Sequence, residues 1–148
     1  MPDADQELVL LDTHIWIWVA TGDQRLHVPS FLRSVARWTS TSSMRVSVIS
    51  VWEAAILEAK RRITFSVSCL EWVQRALRLP GVTLSPLTPE IAVESACLPG
   101  TFHGDSTDRM IVATARSLGA TLVTQDERML AYCRAQHLHT IAPSRTHH

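Results

Sequence analysis

Leu8-Val9-Leu10-Leu11 is a continuous apolar run that ends at Asp12. A run that short, with no polar alternation, predicts a strand buried on both faces. Thr13 to Ala20 is predicted as a helix, closed by Thr21-Gly22. Phe31, Leu32, Val35 and Trp38 recur at helical spacing and predict a second helix from Ser30 to Trp38, opened by Pro29-Ser30. The polar cluster Thr39 to Ser43 reads as a loop. Val46-Ser47-Val48-Ile49 is rich in β-branched residues and predicts the second strand, and Trp52, Ala55, Ile56 and Ala59 predict a helix from Val51 to Lys60. Leu70, Val73 and Leu77 mark a further helix, stopped at Pro80-Gly81, and Val82 to Leu84 follows as a strand. Pro89 to Cys97 reads as a short helix and Asp108 to Leu118 as a strong one with a Gly119 stop. Thr121 to Thr124 is a strand, Asp126 to Gln136 a last helix, and His139 to Ile141 an edge strand.

Strands alternating with helices predict an α/β fold, a three-layer α/β/α sandwich around a central, mainly parallel sheet of about four or five strands. In such sheets ligands bind beyond the carboxyl ends of the strands. The 148 residues suffice for one domain, assigned here to residues 1–142 with 143–148 as a flexible tail. The longest apolar runs, Leu8 to Leu11 and Met110 to Ala113, fall far short of the roughly 20 residues a membrane helix needs. The acidic start, Met1 to Glu7, lacks the positive region of a signal peptide, so a cytoplasmic location is expected. Fourteen basic residues balance 14 acidic ones, which excludes a grip on nucleic acid through bulk charge but leaves a local basic patch open. Cys69, Cys97 and Cys133 form no C-x-x-C pair and suggest neither a disulfide framework nor a zinc ribbon.

Acidic residues recur where strands feed helices. Asp12 ends the first strand, Glu53 follows the second, Asp126 follows the fourth, and Asp105 and Asp108 open the helix before that fourth strand. Each has a plain structural reading. Asp12 and Asp105 suit helix N-caps, and Ser50/Glu53 and Thr124/Glu127 have capping-box spacing. As a set they mean more: carboxylates crowded on one sheet edge repel unless protons or a cation neutralise them. Oxygen donors alone select a hard ion, Mg2+ or Mn2+, and such a site activates water beside a phosphate.

Four segments then carry a family resemblance. Leu10-Leu11-Asp12-Thr13-His14, Ser47 to Ile56 with Ser50 and Glu53, His103-Gly104-Asp105-Ser106-Thr107-Asp108-Arg109, and Leu122-Val123-Thr124-Gln125-Asp126 occur in order across residues 8 to 130. Together they resemble PIN-domain ribonucleases, specifically the VapC-type toxins of toxin–antitoxin pairs. The resemblance implies that Asp12, Glu53, Asp108 and Asp126 form a catalytic quartet holding Mg2+ or Mn2+, with Asp105 an additional acid. It implies that Thr13, Ser50 and Thr124 orient the carboxylates or water. It also implies an RNA substrate, a cognate antitoxin packing against the early helices, and a homodimer. Ser106-Thr107 departs from the family's Pro-Phe at that point, for which altered local packing is expected. The rival reading is a catalytically silent PIN-like module that binds protein or RNA. A receiver-like domain, phosphorylated on Asp12, is a further rival, although position 14 is His rather than a second acid.

Other residues stay open between two roles. Arg109, beside Asp108, suits either a charge partner for a neighbouring acid or a contact for substrate phosphate. His14 and His103 suit supporting roles near the site, and His137 and His139 surface positions. Trp16, Trp18, Trp38, Trp52 and Trp72 suit the core, with those on early helices also suited to a protein partner. Arg61-Arg62 suits a helix end or an RNA contact.

Overall fold

A computed structural model describes residues 7–143. The acidic N-terminal hexapeptide and residues 144–148 of the expected tail lie outside that range, and Pro143 is buried.

The apolar run after Glu7 forms strand β1 (Val9–Leu11) at the centre of the sheet. Helices α1 (Thr13–Thr21) and α2 (Pro29–Ser40) lead to β2 (Met44–Ser47), and α3 (Val48–Ala59) and α4 (Cys69–Leu77) lead to β3 (Val82–Ser85). Helices α5 (Pro89–Ala96) and α6 (Ser106–Leu118) lead to β4 (Thr121–Val123), and α7 (Glu127–Ala135) to the edge strand β5 (Thr140–Ile141). The sheet has five strands in the order β3-β2-β1-β4-β5, and every neighbouring pair is parallel. This is the predicted α/β architecture. The order differs from the 2-1-3-4-5 of receiver-like sheets, so that rival fold is set aside.

Alternation along the strands builds two cores. Val9, Leu11 and Val123 face one side, against Ile15, Trp16, Phe31, Trp38 and Val73. Leu10 and Leu122 face the other, against Ile91, Ile111, Val112 and Met129. The strands are therefore covered on both faces, which is why β1 carries no polar alternation. Right-handed crossovers account for the division. The chain runs outward from β1 to β3 with its helices on one face, then returns to β4 with α5, α6 and α7 on the other. The direction of winding reverses at β1 and β4, which makes their carboxyl ends the topological switch point.

Two local expectations are corrected. The second strand ends at Ser47, and Val48 and Ile49 form the first turn of α3. Ser47 is the N-cap, its hydroxyl accepting from Ile49 N at 3.0 Å, so Ser50 and Glu53 are not a capping box. The Ser47 cap overrides the β-branched preference for strand. The second correction concerns Thr39 and Ser40, which lie in α2 rather than a loop. Their hydroxyls bond back to the Val35 and Arg37 carbonyls, so the polar cluster does not break the helix.

Replacing Ser47 by Ala should lower stability by about 1 kcal/mol through loss of the α3 cap, measured by urea denaturation. An unchanged midpoint would show that α3 starts elsewhere.

Candidate active site

Parallel pairing of β1 with β4 sets Leu11 beside Val123, and the ladder runs one step further, with Asp12 N donating to Val123 O at 2.9 Å. Asp12 and Thr124 therefore leave the sheet side by side. Asp12 caps α1, as its plain reading expected, with Oδ1 accepting from Thr13 N at 2.8 Å. Its Oδ2 accepts from the buried Thr124 hydroxyl at 2.7 Å. The same Thr124 oxygen accepts from Asp126 N at 3.0 Å. Asp126 in turn caps α7, accepting from Met129 N at 3.0 Å, so Thr124 and Glu127 do not form the alternative capping box.

Helix α3 brings the next pair. Ser50 is fully buried and its Oγ lies 2.8 Å from the equally buried Thr13 Oγ1, joining α1 to α3 across the switch point. The Thr13 hydroxyl also holds the Glu53 side chain, one turn beyond Ser50. The three hydroxyls singled out in the sequence, Thr13, Ser50 and Thr124, are thus all buried against the acids or one another.

Helix α6 supplies the remaining acids. Asp105 caps it through Asp108 N at 2.9 Å, and Asp108 Oδ2 accepts weakly from Asp105 N at 3.4 Å, a reciprocal box. Ser106 and Thr107 fill the first turn, Thr107 buried and Ser106 exposed. The Pro-Phe departure therefore leaves the helix start intact.

Electrostatics shows that the acids share one region. Burial pushes the Asp12 carboxyl above its ordinary value, with the charge of Asp126 adding to it and the Thr124 hydrogen bond opposing. Burial likewise raises Glu53, with Asp12 and Asp105 adding. Asp108 is pushed up to about 7, by burial first and then by Asp105 and Asp126. None of the five acids forms an ion pair with Lys or Arg among the described residues. His14 is exposed and stands close enough to Asp12 and Glu53 to oppose the rise of both. Among the described residues no three acidic, His or Cys side chains close to the spacing of a finished metal site. The donor chemistry nonetheless fits a hard divalent cation: oxygen ligands only, mutually repelling, with little neutralising charge beside them.

Arg109 pairs with no acid among the described residues. Its Nε donates to Ser95 O at 2.8 Å and its Nη1 to Phe102 O at 3.1 Å. His103, His137 and His139 are exposed, and His137 adopts a positive φ of 59°. Arg61 and Arg62 lie past α3, their amides closing the helix on Glu58 O and Leu57 O. Trp16 and Trp38 are core residues, whereas Trp52 is 54% exposed. The sequence reading assigned no role to Tyr132 or Phe102, which stack at 4.7 Å between ring centroids and hold the segment before α6. Their 30-residue separation leaves no local signal.

The PIN domain family matches residues 9–135. Ribonuclease VapC22 of Mycobacterium tuberculosis is 36% identical over 124 residues, covering 84% of this chain and 91% of that protein. The fold resembles VapBC2 from Rickettsia felis bound to promoter DNA, with a TM-score of 0.64 at 16% identity over 90% of this chain and 96% of that one. It also resembles a toxin–antitoxin complex from Klebsiella pneumoniae, with a TM-score of 0.62 at 19% identity over 93% and 99% of the two chains. With the family match running from β1 through α7 and over every acid of the switch point, the chain belongs to the PIN-domain family.

Proposed function

We propose that this protein is a metal-dependent ribonuclease that hydrolyses RNA phosphodiester bonds, as the toxin of a toxin–antitoxin pair. The observation that carries the reading is the gathering of Asp12, Glu53, Asp105, Asp108 and Asp126 into one mutually repelling group at the switch point. Similarity to a ribonuclease over most of the chain supports the reaction class, and the toxin–antitoxin neighbours support the biological setting.

In this reading Asp12, Glu53, Asp108 and Asp126 would hold Mg2+ or Mn2+, with Asp105 beside them. The ion supplies a more acidic bound water and screens phosphate charge. The chain's own contribution is positional. Thr124 fixes one face of Asp12, and the Thr13–Ser50 pair steadies Glu53. Asp108, its carboxyl pushed up to about 7, is a group whose charged form a neighbouring cation would favour. The partners in this reading are RNA and a cognate antitoxin, with a second copy of the chain in a homodimer. The setting is the cytoplasm. Among the described residues no helix is long and apolar enough to cross a membrane.

Incubation with total RNA in Mg2+ or Mn2+, beside an EDTA control and Asp108→Asn, tests the activity. Cleavage should need the metal and fall at least about 100-fold in the variant, since charge stabilisation of this kind is worth several kcal/mol. Cleavage in EDTA, or by the variant at full rate, would remove the metal-site reading. Binding without cleavage under every condition would favour the silent module.

Stability carries a second signature. The folded Asp108 binds its proton more tightly than the unfolded chain, so the metal-free protein should lose stability as pH rises from about 4 through about 7. Asp108→Asn removes the Asp108 share of that dependence and leaves those of Asp12 and Glu53. The variant should match the wild type near pH 4 and exceed it by roughly 1 kcal/mol at pH 8, discounted for partial exposure. Thermal melts in EDTA across that range check it. Saturating Mn2+ should then reverse the order by stabilising the wild type more. A variant less stable than the wild type at every pH would mean that Asp108 acts as a cap alone.

A further inference from the structure

Residues 97–105 connect α5 to α6 and end on Asp105. Among the described residues no backbone–backbone hydrogen bond involves residues 98–104. Side chains hold the segment instead. Tyr132 Oη donates to Pro99 O, Arg109 Nη1 to Phe102 O, and Arg128 Nη1 reaches His103 O at 3.4 Å. Leu98 and Phe102 are buried beneath it. Of the three holding residues, Arg109 alone also grips a second element, through Ser95 O in the last turn of α5. That carbonyl belongs to a helix C-terminus, where backbone acceptors are left over and positive charge is favoured. The fit is close: a Cβ on Gly104 would come within 2.8 Å of Asp108 Cβ, so the segment lies directly on the first turn of α6.

We propose that Arg109 is a positioning residue for the acidic site, its guanidinium fork tying α5 to the segment before α6 and so setting where Asp105 and Asp108 stand. This rests on the metal-nuclease reading above. The chain of contacts is short. Phe102 O is fixed three residues before Asp105, and Asp105 and Asp108 are locked to each other by their reciprocal caps. A planar fork spans two carbonyls at once; a lysine ammonium keeps the charge without that geometry. The two donors engaged on carbonyls also account for Arg109 pairing with no acid among the described residues.

The test compares wild type, Arg109→Ala and Arg109→Lys. Mn2+ affinity is measured by calorimetry, and kcat and KM on a cleaved RNA. Chymotrypsin susceptibility after Phe102 is followed in EDTA. Positioning predicts folded variants whose Mn2+ affinity falls about tenfold or more, as for removal of groups that orient metal ligands. It predicts a lower kcat with KM nearly unchanged, only partial rescue by lysine, and new cutting after Phe102. A raised KM with unchanged Mn2+ affinity and full rescue by lysine would make Arg109 a phosphate contact and overturn the proposal. Variants that only melt earlier, or that do not fold at all, would make it a residue of the fold and overturn it equally. If the wild type neither binds Mn2+ nor cuts RNA, the nuclease reading fails; the chymotrypsin result still decides the clamp, since uncut variants refute it.

Discussion

The Thr124 hydroxyl is the point on which the site depends. It donates to Asp12 and accepts from the amide of Asp126, so one buried oxygen joins the ends of two adjacent parallel strands. A buried hydroxyl used in both senses is fully satisfied and has little freedom to turn. It thereby fixes one acid after β1 relative to another after β4. That relation holds only because β1 and β4 are neighbours in register, which follows from the reversal of winding at the switch point.

Against this stands a cost. Three carboxyls, those of Asp12, Glu53 and Asp108, are held where burial and the charge of neighbouring acids favour the protonated form. A fold selected for stability alone would separate them or pair them with arginines, of which the chain has many. Its arginines go elsewhere: Arg116 to Glu94, Arg25 to Asp23, Arg109 to two carbonyls. Perturbed groups clustered in this way are common in functional sites. The caps limit the damage, since Asp12, Asp105 and Asp126 each also satisfy amides at a helix start, where negative charge is favoured. In each case the cap also holds the carboxyl in place.

Much of this was legible in advance. The apolar run before Asp12, the Gly119 stop and the alternation of strand and helix follow from local chemistry and period, and the structure keeps them. Misreadings came where two local signals compete. Val48 and Ile49 favour strand by shape, but the Ser47 cap and helix packing decide, and that balance involves residues of another layer. The serine and threonine cluster at 39–43 favours a loop until hydroxyls bond back to helix carbonyls.

The sequence by itself determined which residues are acidic, that Asp12, Glu53 and Asp126 come after strands while Asp105 and Asp108 open a helix, and that the hydroxyls Thr13, Ser50 and Thr124 lie near the acids in the chain. These are matters of local order, and parallel topology turns them into one edge of a sheet. Only the tertiary structure decided that Thr124 bonds Asp12 across 112 residues and Thr13 meets Ser50 across 37. It alone sent Arg109 to the carbonyls of Ser95 and Phe102 rather than to an acid or to solvent. A guanidinium beside an aspartate in sequence has several partners within reach. The choice falls to unpaired carbonyls, which exist only once α5 ends and the chain beyond it forgoes backbone hydrogen bonds.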